Sequence, residues 1–334
     1  PTKILFGDGC LAEAAPQLKE MNSTKVLIVT GRSKTASSQG FKDLCLGLDS
    51  SGIHYVHFGE VSADPDTSLV DKGTEVYRAQ HCDAIIGFGG GSPIDCAKGI
   101  AASVAEGRSI RDFVGTGLAF TKPVPPLIAI PTTAGTGTEV TNAAVFTVVD
   151  ESGRRSKKGT SSQFYFPKLA IVDPVLHLSM PPSLTAATGM DALTHAIEAY
   201  VSTANCNYTD PLAIHAIELI QANLVKSYNG DMAARDTMHD AQCLAGQSFS
   251  NALLGIVHSM AHKTGAAFVD QGGHIIHGAA NAMYLPKVIA FNAKDPTAKK
   301  RYGVIADYMH LGGANDDEKV ALLIKYLRGM NDEL

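Results

Sequence analysis

The chain has 334 residues, a formal net charge of −5, 45% hydrophobic residues and 18% charged residues. That balance describes a globular protein long enough for two cores. It argues against a nucleic-acid partner, which clustered Lys and Arg would favour, and no apolar run reaches the length of a membrane span.

The six cysteines (Cys10, Cys45, Cys82, Cys96, Cys206 and Cys243) are scattered, with no CxxC pair. The start, PTKILFGDGC, lacks a signal-like layout of charge followed by an apolar stretch. Both fit reduced thiols and a cytoplasmic location.

Up to about residue 180, short apolar runs alternate with helical patterns. KVLIVT (Lys25–Thr30) and IHYVHFGEV (Ile53–Val61) read as buried parallel strands. DTSLVDKGTEVYRAQ has helical periodicity, and HCDAIIGFGGGS is a strand running into glycines. PLIAIPTTAGTGTE (Pro126–Glu139) is a strand ending in a Gly/Thr-rich loop. AAVFTVVD and LAIVDP read as two further strands forming a hairpin, with ESGRRSKKG as the polar turn between them. Alternation of this kind predicts a doubly wound, Rossmann-like parallel sheet with ligands at the carboxyl ends of its strands.

At Pro181-Pro182 the pattern changes and nearly everything beyond is helical. The reading is therefore an α/β dinucleotide-binding domain over 1–180 and an all-α metal-binding domain over 181–334. Ser183 reads as the N-cap of the first of these helices. The last stretch, EKVALLIKYLRGMNDEL, is one helix with no evident stop, so the helical domain is expected to continue past Leu334.

Two loops suit a dinucleotide. Gly89, Gly90 and Gly91 let the backbone come close to a ligand; Ser92 reads as an N-cap, Pro93 as the first helical residue and Asp95 as part of the first turn. A helix start of this kind binds a pyrophosphate through free N–H groups. The segment is not GxGxxG, and a glycine turn also serves plain strand-to-helix reversals. The second loop, Pro131–Glu139, adds hydroxyls and backbone donors at another strand end.

The metal candidates lie in the helical half. Asp191 and His195 are four apart in GMDALTHAIEAYVS, so one helix face carries both. Four of the twelve histidines fall in residues 251–292: His258 and His262, four apart, then His274 and His277, three apart. Asp191 and His195 with two of these histidines would form a mixed oxygen and nitrogen site for a divalent transition metal. An isolated HxxxH is more often packed than ligating; two helical pairs in Gly- and Ala-rich settings favour a metal.

GGGSPID, PTTAGTGTEVTN, PKLAIVDP, GMDALTHAIEAYVS, VHSMAH and HGAANAMYLPKVIAFN together resemble the iron-dependent (group III) alcohol dehydrogenases, in order and over nearly the whole chain. The resemblance implies a cleft between the two domains, and metal ligands at Asp191, His195, His258 and His277. It implies a histidine near substrate and nicotinamide at His262, and cofactor contacts at Gly90, Gly91, Ser92, Asp95, Thr132, Thr133 and Lys157. Asp64 falls where many members carry Asn. The segment between His262 and His277 is longer than in many members and brings in His274; HGAANA matches the family's HGxxNA and favours His277. The resemblance implies iron, with zinc chemically acceptable, and together with common symmetry a homodimer; the β segment Ile4–Gly7 is a candidate to pair with its copy.

The expected reaction is hydride transfer between a nicotinamide and a small alcohol or aldehyde, such as a short primary alcohol or diol. No acid stands at Gly31, where many NAD-using members carry Asp. Gly31, Ser33 and the flanking Arg32 and Lys34 leave room and charge for a 2′-phosphate, so NADP(H) is expected over NAD(H). Two competing classes remain. One comprises metal- and NAD-dependent relatives with other substrates: a glycerol or polyol dehydrogenase, an oxoacid reductase, or a non-redox sugar-phosphate cyclase. The other is a metal hydrolase or a nucleotide-binding protein without catalysis.

Overall fold

The computed structural model describes residues 2–32, 34–267 and 275–334. The chain divides into two compact units: Pro1–Thr133 with Thr138–His177, and Ala134–Gly137 with Leu178–Leu334.

The first unit runs β1 (Lys3–Phe6), α1 (Ala14–Glu20), β2 (Lys25–Gly31), α2 (Gln39–Ser50), β3 (His54–Val61), α3 (Thr67–Ala79), β4 (Ala84–Gly89), α4 (Gly91–Glu106), β5 (Leu127–Pro131), β6 (Ala143–Val149), β7 (Arg155–Ser161) and β8 (Leu169–Val172). Six strands form one parallel sheet in the order β1-β8-β5-β4-β2-β3. The central strands are apolar over most of their length because each face meets a core. On β2, Val26 and Ile28 join the core containing Leu18, Phe41 and Leu48. Leu27 and Val29 join the opposite one, with Val70, Ile100 and Phe146. Each such Val, Leu or Ile contributes about 1.5–3 kcal/mol relative to exposure.

Strand order reverses between β2 and β4, the switch point at which open sheets leave a crevice for ligands. Gly89 and Pro131 are register partners, so the two candidate loops leave the sheet side by side.

The hairpin corrects the sequence reading. AAVFTVVD does not pair with LAIVDP; it pairs antiparallel with Arg155–Ser161, Ala143 facing Ser161 and Val149 facing Arg155. LAIV is β8, a parallel strand between β1 and β5. The missed strand, RSKKGTS, has no apolar side chain, so it carries no apolar alternation to read.

The second unit is helical: α5 (Pro182–Val201), α6 (Asp210–Tyr228), α7 (Met232–Ala252), α8 (Ile256–Ala267), α9 (His277–Asn292), α10 (Pro296–Tyr308) and α11 (Asp316–Glu333). Helix α5 packs against α6, α7 and α9 and is buried almost all round. Its apolar side chains Leu193 and Ile197 sit in a core with Ile217, Ile220, Leu285 and Ile289. Ser183 is not the cap: the helix starts at Pro182, which suits a first position because it has no N–H to satisfy. No helix among the described residues is long and apolar enough to cross a membrane.

Candidate active site

In the first unit the glycine loop turns β4 into α4. Gly89 has φ 147°, and a Cβ there would come within 2.9 Å of Pro93, so the sharp turn requires glycine. Helix α4 begins at Gly91 with Gly90 at the cap position, two residues earlier than Ser92 and Pro93 suggest, and no side chain caps it. Its first-turn N–H groups are the kind of donors that receive a phosphate. Thr133, from the second loop, lies next to Gly90, where a Cβ would sit 3.2 Å from its methyl.

Asp64, Ser92 and Lys157 come together from three elements. The Asp64 N–H donates to Ser92 Oγ at 3.3 Å, and Lys157 Nζ ion-pairs with Asp64 Oδ1 at 2.7 Å. The hairpin is tied to the same turn, because Thr147 donates through N to Pro65 O and through Oγ1 to Asp64 O.

Asp95 faces elsewhere. Its carboxylate accepts from Thr138 Oγ1 at 2.6 Å and Val145 N at 2.9 Å. Beside it Lys98, fully buried, points Nζ at the carbonyls of Thr138, Thr141 and Ala143. Burial pushes this ammonium down to about 8, against the charges of Asp95 and Glu139. The pair pins the segment that follows the threonine loop. The sequence reading did not single out Lys98; its signal was a lysine three residues after Asp95, which lies past the first turn of a mostly small and apolar helix. Gly31 ends β2 and Arg32 Nε donates to Glu60 O at 2.8 Å, while Ser33 lies outside the described residues.

In the second unit three elements aim donors at one point. Helix α5 carries Asp191 and His195 one turn apart, α8 carries His258, and α9 opens with His277. Asp191 Oδ1 lies 3.9 Å from His195 Nε2, 3.5 Å from His258 Nε2 and 3.6 Å from His277 Nε2. Asp191, His195 and His258 are buried and could hold a metal ion between them. The approach of α9 depends on Gly278, where a Cβ would sit 1.8 Å from Ala187 O on α5.

Burial alone would raise the Asp191 carboxyl. The charges of His195 and His277 and the hydrogen bond from His258 outweigh it and hold the group well below the usual carboxylate range. Burial pushes His195 down to about 4 and His277 to about 3. At His258 burial opposes the charge, but hydrogen bonds to Asp191 and Glu198 raise the ring to about 9. The cluster thus sets the carboxylates of Asp191 and Glu198 among three imidazoles with nitrogen lone pairs to offer. One carboxylate and three imidazole nitrogens fit Fe²⁺ or Zn²⁺.

His262, one turn beyond His258 on α8, stacks on His277 with centroids 4.8 Å apart and is only half-buried. His274 lies outside the described residues. Two neighbours were missed in the sequence. Asn281 is fully buried, with Nδ2 at 2.7 Å from Asp191 Oδ1 and its own Oδ1 unpartnered among the described residues. Glu198 sits 2.6 Å from His258 Nδ1. Both continue motifs already in view, Glu198 three residues after His195 and Asn281 four after His277.

A model of the iron-containing alcohol dehydrogenases matches residues 1–174, and the C-terminal model of the Fe-containing family matches residues 185–334. The chain belongs to the iron-containing alcohol dehydrogenase family. It is an NAD(P)-dependent alcohol dehydrogenase with iron-type metal binding. It is 45% identical to an NADPH-dependent butanol dehydrogenase of Clostridium saccharobutylicum, over 100% of this chain and 83% of that one. It is 38% identical to an NAD-dependent methanol dehydrogenase of Bacillus methanolicus, over 92% of this chain and 78% of that one. A crystal structure of a 1,3-propanediol oxidoreductase superposes with a TM-score of 0.92 at 33% identity, covering 100% of this chain and 85% of that one. These relatives favour redox chemistry over the hydrolase and cyclase readings of the sequence.

Proposed function

We propose that this dehydrogenase interconverts a short primary alcohol or diol and its aldehyde, using NADP(H) in preference to NAD(H). The observation that carries the reading is the convergence of three histidine Nε2 atoms on Asp191 Oδ1 within 3.5–3.9 Å. Asp191, His195, His258 and His277 would hold the divalent ion, iron with zinc acceptable. When bound, the ion supplies Lewis acidity toward the alcohol oxygen and the nicotinamide supplies the hydride acceptor.

The chain's own residues do the rest. Gly90, Gly91 and Ser92 at the start of α4, with Thr132 and Thr133 beside them, bind the pyrophosphate. Lys157 and Asp64 brace that loop from the hairpin side. Asp95 acts from behind, by holding Thr138 and the β6 backbone. Gly31, Ser33 and Arg32 receive the 2′-phosphate. His262, half-exposed and stacked on His277, moves the substrate proton.

The measurement is turnover of a panel of short alcohols, 1,3-propanediol and the matching aldehydes, followed at the nicotinamide absorbance with both cofactors. No reduction or oxidation of either cofactor with any of them would end the substrate reading.

A homodimer is part of the proposal. Among the described residues strand β1 pairs on one side only, with β8, and Phe6 at its end is 72% exposed. An edge of this kind can pair with its copy across a two-fold axis. A monomer mass by light scattering at micromolar concentration would count against it. None of the six cysteines forms a disulfide, which fits a reducing, cytoplasmic setting.

A further inference from the structure

We propose that Glu198 is a positioning residue for the metal centre, holding His258 with its proton on Nδ1 so that Nε2 presents a lone pair to the ion. The inference rests on the ligand set proposed above. Glu198 lies three residues after His195 and seven after Asp191, so α5 places all three on one face. Its Oε2 is 2.6 Å from His258 Nδ1, and both side chains are nearly sealed from solvent, at 3% and 6% exposure.

The other bonds of the carboxylate fix its own orientation. Oε1 accepts from Val257 N at 2.7 Å, and Oε2 lies 3.3 Å from His258 N. These are first-turn N–H groups of α8, which have no partner inside their helix. Gly255 makes the approach feasible, because a Cβ there would sit 2.7 Å from Oε1. An ionised carboxylate only accepts, so the ring nitrogen facing it must donate. That leaves Nε2, 3.5 Å from Asp191 Oδ1, as the ligating atom. A carboxylate behind a ligating histidine also raises the basicity of the ring toward the metal.

A bland alternative is that Glu198 only caps α8. Glu198→Gln separates the two roles. Glutamine keeps the shape and an acceptor for Val257 N, but its amide N–H₂ faces Nδ1 and drives the proton of His258 onto Nε2. Zn²⁺ affinity, measured by competition with a chelator, should fall about 10- to 100-fold in E198Q. NADPH binding, measured by fluorescence titration, should stay at the wild-type level, and the thermal midpoint should fall less than in Glu198→Ala.

Wild-type Zn²⁺ affinity in E198Q would overturn the inference and leave a helix cap. Should E198Q fail to fold, histidine ¹⁵N correlation spectra of the Zn²⁺-loaded wild type decide the matter. A proton on His258 Nδ1 supports the inference, and a proton on Nε2 overturns it. His258→Ala is the control for the underlying ligand set. Full metal content in that variant would sink the ligand reading itself, whereas lost metal there with unchanged E198Q affinity would sink the positioning role alone.

Discussion

Lys157 Nζ and Asp64 Oδ1 lie 2.7 Å apart, joining the β6–β7 hairpin to the turn that precedes α3. Asp64 has φ 56°, a left-handed conformation that Asp and Asn tolerate better than most residues. Its N–H in turn meets Ser92 Oγ in the first turn of α4. The lysine side chain is only 8% exposed, so its charge is committed to this spot. Lys157→Met should weaken NADPH binding about tenfold, or about 1.4 kcal/mol, with metal content unchanged. Asp64→Asn keeps the backbone turn and should cost less. Fluorescence titration of NADPH checks both, and an unaltered affinity in Lys157→Met would remove the pair from the cofactor site.

Metal analysis and turnover, measured together, test the division of labour among the histidines. Asp191→Ala, His195→Ala, His258→Ala and His277→Ala should each lose metal and activity together. His262→Ala should keep its metal and lose about 10²- to 10⁴-fold in kcat, the usual contribution of a proton-transferring side chain. His274→Ala should keep its metal. Metal loss in His262→Ala would make it a ligand, and metal loss in His274→Ala would reverse the choice between His274 and His277.

How much was legible in the sequence follows from which physical signals were local. Strands β2, β4 and β5 are buried on both faces, so each is an unbroken apolar run ending in glycine or proline, and the parallel sheet follows from them. The paired DxxxH and HxxxH segments lie on single helices, so their spacing alone gives a shared face. Strand β7 was illegible because its order comes from pairing with β6, and not from burial of its own side chains. Glu198 was passed over because an acid in a helix reads as a solvated face until α8 is packed against it. The Asp95 and Lys98 pair was opaque for the same reason: its partners, Thr138 to Val145, lie 40 to 50 residues away. Both helix starts slipped by two residues because Pro181 and Gly90 take the cap positions expected at Ser183 and Ser92.

Gly278 should be the least replaceable glycine near the metal ligands. A Cβ there would sit 1.8 Å from Ala187 O, which is backbone and cannot rotate away. Gly278→Ala should therefore push the start of α9 from α5, lowering the thermal midpoint by an amount matching about 1–3 kcal/mol and reducing metal occupancy through His277. Gly47 is the control: it lies exposed in α2 with nothing within 4 Å of an added Cβ. Gly47→Ala should be neutral or stabilising by about 0.5–1 kcal/mol. Thermal melts with metal analysis decide it, and a Gly278→Ala variant as stable and as metal-rich as wild type would contradict the packing.

Cofactor preference turns on Gly31. Strand β2 ends there, beside Val61 of β3, at the place where an NAD-preferring doubly wound domain commonly sets an acid against the ribose 2′-hydroxyl. Glycine offers no carboxylate to repel a phosphate. Arg32 follows at once, its Nε on Glu60 O and its N–H on Val61 O, so the cation is held at the strand end. The nearby Glu60 carboxylate is ion-paired with Lys72 at 2.6 Å, which offsets its charge. Gly31→Asp would set a carboxylate against a phosphate carrying up to two charges, at about 1 kcal/mol per charge pair at 4 Å in water. The kcat/KM with NADPH should fall about 10- to 100-fold, while that with NADH should hold or rise. Arg32→Ala should lower the NADPH value alone, because NADH carries no 2′-phosphate for it to meet. Steady-state kinetics with both cofactors check the pair, and a wild type with equal or better kcat/KM on NADH would refute the preference.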